Sequence, residues 1–256
     1  MKINLNADMG ESFGAWSMGD DAALLEVVGA ANIACGFHAG DPLVLRTTLR
    51  QAVARGVSLG AHPSYPDLQG FGRRPMRMAP AELEAALIYQ MGALAGLAAA
   101  EGGCLGHVKP HGALSNQACE DAALADTVVA AIRAFDRNLI LLAPALSELA
   151  QAGQRAGLAV AQEVFADRAY TETGSLVPRR EPGAVIEDSV ACVAHALAML
   201  DAGGIVTRGG AVLLTPIHSI CVHGDSAHAV ATARRLRLGL EAAGHRLAGL
   251  AETLAD

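Results

Sequence analysis

Ile3-Asn4-Leu5-Asn6-Ala7-Asp8, running into Met9-Gly10-Glu11-Ser12, alternates apolar and polar residues and then breaks at a glycine. A strand sends alternate side chains to opposite faces, so Ile3, Leu5 and Ala7 share one side while Asn4, Asn6 and Asp8 share the other. The polar face ends in carboxylates at the strand's carboxyl end, where parallel α/β proteins gather their ligands. The same order of apolar or alternating run, polar cluster and Ala/Leu-rich helical stretch recurs along the chain. Strand candidates near 2–8, 30–36, 57–62, 105–109, 138–143, 159–165 and 211–223 alternate with helical patterns over 20–29, 42–55, 80–101, 121–135, 145–156, 187–202 and 226–243. Asp41-Pro42 and Ala79-Pro80 read as helix starts with proline in the first turn, and Gly56, Gly102 and Gly157 as helix ends. This alternation predicts a parallel sheet with right-handed crossovers, closed as an α/β protein of the seven-stranded, TIM-like β/α barrel class.

The 256 residues fit one such barrel, and no linker rich in Pro, Gly or Ser divides them, so a single domain over 1–256 is expected. The chain is 52% hydrophobic but only 4% aromatic, so Ala, Val, Leu and Ile must fill the space between helices and strands. The net charge of -7, with no basic run, argues against nucleic acid as a partner. The alternating N-terminus is unlike a signal peptide, and no run reaches the roughly 18 uncharged apolar residues of a membrane span, which predicts no membrane partner. The five cysteines are an odd number without C-x-x-C spacing, read as reduced thiols in a cytoplasmic protein and not as a disulfide frame or structural zinc site.

Chemistry-bearing residues cluster at the strand ends. His107-Val108-Lys109-Pro110-His111-Gly112 puts three ionisable side chains on one face of an extended segment, held extended by Pro110. Crowding of this kind is expected to lower the pKa of a lysine or histidine and to call for an anion. Asp8 and Glu11 are candidates for a general base or for cation binding, against the plainer role of carboxylates that hydrogen-bond a loop. Asn32 and His38 follow the second strand on one parity, with Asp41 favoured as a helix cap and Cys35 as a small buried residue. His62 ends the third strand. The breaker-rich stretch after it reads as a long loop over the site, and its Arg73-Arg74 pair could grip a carboxylate or phosphate unless it is merely solvated. Glu163, Asp167 and Arg168 end the sixth strand, and His223 and Asp225 the last. The mixture of histidines and carboxylates could satisfy a divalent metal, although no H-E-x-x-H motif is present. There is also no G-x-x-x-x-G-K-[ST] loop and no G-x-G-x-x-G fingerprint.

Longer motifs carry a resemblance. Asn6-Ala7-Asp8-Met9-Gly10-Glu11-Ser12-Phe13-Gly14, Ala31 to Pro42, Gly60 to Asp67, Gly70-Phe71-Gly72-Arg73-Arg74, His107 to Leu114, Glu163 to Arg168 and Cys221 to Asp225 together resemble the LamB/YcsF family, in order along nearly the whole chain. Two departures are visible: the family usually has Cys at Ala7 and Tyr at Ser115. The resemblance implies a barrel of the glycoside hydrolase/deacetylase type. It also implies the role of the A component of 5-oxoprolinase: ATP-dependent hydrolytic opening of 5-oxo-L-proline to L-glutamate, with ADP and phosphate released, in a complex with subunits B and C. On this basis Asp8, Glu11, His38, His62, Lys109, His111, Glu163 and His223 are the expected catalytic set, with Asp8 or Glu163 as base. Asn6, Asn32, Arg73, Arg74, His107, Asp167, Arg168 and Asp225 are the expected substrate or phosphate contacts. The rival expectation is a stand-alone metal-dependent deacetylase or amidohydrolase.

Overall fold

Seven parallel strands close on themselves in the computed structural model, which describes residues 1–222 and 229–255. In chain order the first six are β1 (Lys2–Met9), β2 (Ala30–Ala34), β3 (Ser58–His62), β4 (Leu105–Val108), β5 (Ile140–Pro144) and β6 (Val160–Phe165). A short antiparallel hairpin follows, β7 (Gly204–Val206) with β8 (Val212–Leu214), and then β9 (Ser219–Val222). β9 pairs with both β6 and β1, which closes the barrel; β10 (Arg246–Leu247) adds to β1 at its amino-terminal end.

The helices are α1 (Asp21–Leu24), α2 (Pro42–Ala54), α3 (Pro80–Ala100), α4 (Gly112–Glu120), α5 (Ala122–Phe135), α6 (Glu148–Arg155), α7 (Ser189–Ala202), α8 (Ala229–Ala242) and α9 (Leu250–Thr253). Asp41 caps α2 by accepting from the backbone N–H groups of Leu43 and Val44, and Gly56, Gly102 and Gly157 follow α2, α3 and α6 with positive φ. α3 is long and apolar enough to cross a membrane by length and composition. Its stripe of Leu83, Leu87, Met91, Leu94 and Ala98 is buried against the protein core.

Two expectations change and one is met. The strand expected over 211–223 is two strands, because Pro216 has no N–H for a ladder and interrupts pairing between β8 and β9. The helix expected over 20–29 shrinks to α1, since Val28 and Gly29 lead directly into β2. Gly112-Ala113-Leu114, which by sequence could open a helix, does open one, α4, ahead of α5.

Parity in the strands sorts the core into two parts. The faces carrying Ile3, Leu5, Ile33, Leu59, Leu141 and Val164 join the large cluster between barrel and helices. Ile140, Leu142, Ala161 and Leu250 form a small separate cluster. Next to it the barrel interior is polar: Asn4, Asn6, Asn32, His107 and Ser219 are fully buried there.

Candidate active site

The polar interior is a column of hydrogen bonds built strand by strand. Asn4 Nδ2 donates to the Ala248 carbonyl (2.9 Å), and Ser219 Oγ donates to Asn4 Oδ1 (2.8 Å). Asn6 Nδ2 donates to Ser219 Oγ (2.7 Å), while Asn6 Oδ1 accepts from Asn32 Nδ2 (2.8 Å). Asn32 also donates to Asp8 Oδ1 (2.9 Å) and accepts from His107 Nε2 (2.9 Å). Gly60 makes room for that ring, because a Cβ there would lie 2.0 Å from His107 Nε2. Burial, helped by Lys109, pushes the His107 pKa down to about 3, so the ring is neutral.

Lys109 stands on this column. Its Nζ lies 3.2 Å from Asp8 Oδ1 and 3.2 Å from Glu163 Oε2, and also contacts Asn6 Oδ1 (3.3 Å) and Cys221 Sγ (3.1 Å). Burial works against the ammonium, but Asp8, Cys221 and Glu163 around it outweigh burial and raise its pKa well above the ordinary value. The expectation that crowding lowers this pKa is therefore corrected: the neighbouring rings are neutral and the carboxylates decide. Glu163, wholly buried, is pushed up by burial, with Lys109 pulling the other way. Burial also pushes the Cys221 thiol up, against the pull of Lys109.

Above Lys109 lie three imidazoles. His62 Nδ1 donates to the Lys109 carbonyl, and its Nε2 is 3.4 Å from Asp8 Oδ2. His111 Nε2 donates to the Phe71 carbonyl (2.9 Å), so the loop after β3 fixes this ring. His38 stacks on His111 at 3.8 Å between centroids and sets Nε2 3.3 Å from Glu11 Oε1. Gly72 has φ +63, and a Cβ there would meet His111 Cδ2 at 2.8 Å, so only glycine lets the loop approach this closely. Burial lowers the His111 pKa to about 3 and that of His38 well below its ordinary value.

These groups floor a cavity of about 450 Å³ at the carboxyl ends of the strands. Asp8, Glu11, His62, Arg73, Lys109 and His111 line its inner end, and Arg168, Tyr170, Ser175 and Arg179 reach it from the loop after β6. His38 and Glu163 are buried behind that lining. Asn6, Asn32 and His107, expected as substrate contacts, lie deeper and orient Asp8 and Lys109 instead. Arg74 is also corrected: its guanidinium pairs with Asp67, which staples the loop by accepting from Gly70 N–H as well, while Arg73 faces the cavity. Asp167 is half-buried outside the lining, and Arg168 spends two N–H groups on the carbonyls of Ala184 and Val177. His223 and Asp225 lie outside the described residues. Cys35 is a buried thiol that burial pushes up to about 12, as a packing residue should be. Cys221, Ser219, Tyr170 and Arg179 escaped the sequence reading. Strand parity pointed to Cys221 and Ser219, but nothing marked the two loop residues.

The sequence model of the LamB/YcsF family matches residues 3–255. A relative from Azoarcus sp. (strain BH72), named as the A component of 5-oxoprolinase, is 72% identical over 252 residues, covering 98% of each chain. One of the same name from Methylococcus capsulatus is 58% identical over 248 residues, covering 97% of this chain and 95% of the other. The crystal structure of a lactam utilization protein from Thermus thermophilus superposes with a TM-score of 0.91 at 41% identity, covering 97% of this chain and all of that one.

Proposed function

Since the chain belongs to the LamB/YcsF family, we propose that it is the A component of a 5-oxoprolinase, and that its barrel binds 5-oxo-L-proline for ATP-dependent ring opening. The observation that carries this is Lys109, an ammonium held between Asp8 and Glu163 at the floor of a cavity sized for a small ligand. A five-membered lactam is a resonance-stabilised amide with little strain and a poor leaving group. Transfer of the γ-phosphoryl group of ATP to its carbonyl oxygen, releasing ADP, makes the ring carbon electrophilic. Water adds there, the C–N bond breaks with the nitrogen taking a proton, and a second water releases phosphate from the acyl phosphate to leave glutamate. ATP enters as a substrate of the complex with subunits B and C.

Each step needs something this floor offers. Lys109 and Arg73 supply positive charge for the developing oxyanion or phosphate. Asp8 touches Lys109 and His62 and keeps 12% of its side chain exposed, which suits a base for water; Glu163 is enclosed behind Lys109 and serves to hold it. The test mixes 5-oxoproline, ATP and each combination of the three subunits and measures glutamate. Asp8→Asn and Lys109→Gln chains with native circular dichroism should release none. Full activity in both would sink the assignment, and glutamate release by this chain alone without ATP would favour a stand-alone amidohydrolase.

A further inference from the structure

Two imidazoles at the cavity floor face each other, His62 and His111. His62 Nδ1 lies against the Lys109 carbonyl oxygen and His111 Nε2 against that of Phe71. A carbonyl oxygen only accepts, so each of these nitrogens carries a proton. The other two, His62 Nε2 and His111 Nδ1, turn toward each other and stand 3.0 Å apart. Asp8 Oδ2 lies 3.4 Å from the first and Glu11 Oε1 3.7 Å from the second, which adds two carboxylate oxygens. Nitrogens and carboxylate oxygens converging in this way form a donor set of the kind a divalent cation takes. Lys109 directs its ammonium to the other oxygen of Asp8, to Asn6, Glu163 and Cys221.

We propose that Asp8, His62 and His111 bind one divalent transition-metal cation, with Glu11 beside it. This goes beyond ring opening and rests on the chain's own geometry. Ligands about 2.0–2.1 Å from a tetrahedral ion lie roughly 3.3 Å from one another, and the separations of 3.0 and 3.4 Å bracket that value. All three ligand atoms fall within 4.8 Å of one another. Two imidazoles with a carboxylate select zinc, cobalt, manganese or iron over magnesium or calcium, which prefer oxygen throughout. The backbone carbonyls behind both rings are the support usual behind metal-bound histidines, since they fix the tautomer and the ring plane. Three protein ligands leave coordination positions on the cavity side, where a bound ion would polarise an amide carbonyl or acidify a water.

The test uses this chain alone, stripped with chelator, without ATP or partner subunits, in a Cys104→Ser background that removes the exposed thiol. Co²⁺ is titrated against visible absorption, and Zn²⁺ by calorimetry. The expected result is one equivalent per chain, with the ligand-field bands of a nitrogen and oxygen site. Asp8→Asn, His62→Gln and His111→Gln each remove a ligand and should weaken uptake by more than the roughly 10–100-fold that loss of a group behind a ligand costs. Circular dichroism checks each fold, and the partly exposed Asp8 carries the test should a buried histidine variant not fold. No stoichiometric uptake by the folded wild-type chain would overturn the site and leave a shared proton between the imidazoles; undiminished uptake by the folded variants would also overturn it. Lactam opening is not read in this experiment, so either idea can fail without the other.

Discussion

Lys109 and His107 sit two positions apart on one strand face, and their surroundings give them opposite electrostatics. Lys109 is an ammonium facing two carboxylates, so its removal leaves Asp8 and Glu163 opposed in a buried space. Breaking such a pair costs about 3–5 kcal/mol, which is the loss expected for Lys109→Met in urea unfolding at pH 7. Adding Glu163→Gln should restore most of it without restoring activity; a double variant no more stable than the single one would show that Glu163 is not what the ammonium balances. Among the described residues no acid offsets burial at His107, and its folded pKa of about 3 lies below the ordinary 6.5. The unfolded chain therefore binds a proton below about pH 6.5 that the folded chain refuses. Stability should be flat above that pH and fall as pH drops from about 6.5 toward about 3, by at most about 1.4 kcal/mol per unit for this group. His107→Gln keeps a donor for Asn32 and should make the slope in urea midpoints between pH 7 and 4.5 shallower, the remainder coming from His38 and His111, which burial lowers in the same direction. Face was legible in the sequence for both residues, and depth was not. Alternation put Asn6, Asp8, His107 and Lys109 inside, yet only the stagger of the strands decides that Asn6 and His107 lie beneath the cavity while Asp8 and Lys109 floor it.

At the scale of elements, the strand and helix pattern could be read wherever an apolar run met a clear stop. β1 to β6 were legible from periodicity, and α2 and α3 from their prolines. The last third was less so, because an apolar run from Ala211 to Val222 contains one proline that divides a hairpin strand from a barrel strand. Pairing partners distant in sequence, as β9 with β1, cannot be read from local pattern at all. Gly60 shows a site constraint hidden inside a regular strand. Gly60→Ala would drive a methyl into the His107 ring, and overpacking of this kind typically costs about 1–3 kcal/mol. The loss should appear in thermal melts and should be relieved when Gly60→Ala is combined with His107→Ala. A melt unchanged by Gly60→Ala would mean that the ring has another place to go.

For the whole molecule, the two ends of the barrel divide the work. The carboxyl end holds the ionisable groups and the cavity, while at the other end Ile140, Leu142, Ala161 and Leu250 form an apolar cluster apart from the main core. β10 and α9 deliver Leu250: Ala248 N–H donates to the Ile3 carbonyl, and the Ala248 carbonyl accepts from Asn4, the first residue of the polar column. The plug was not legible in the sequence, since a two-residue strand and a four-residue helix carry no periodicity. Its energetic role follows from burial. Leu250 is 1% exposed, and Leu→Ala at such sites costs about 2–5 kcal/mol according to how far the cavity collapses. Leu250→Ala should therefore lower the unfolding free energy from urea melts by that amount while leaving Co²⁺ uptake of the still-folded chain unchanged, because the proposed ligands lie at the opposite end. Equal loss of uptake and stability would instead mean that the polar column from Asn4 to Asp8 transmits the disturbance along the barrel axis.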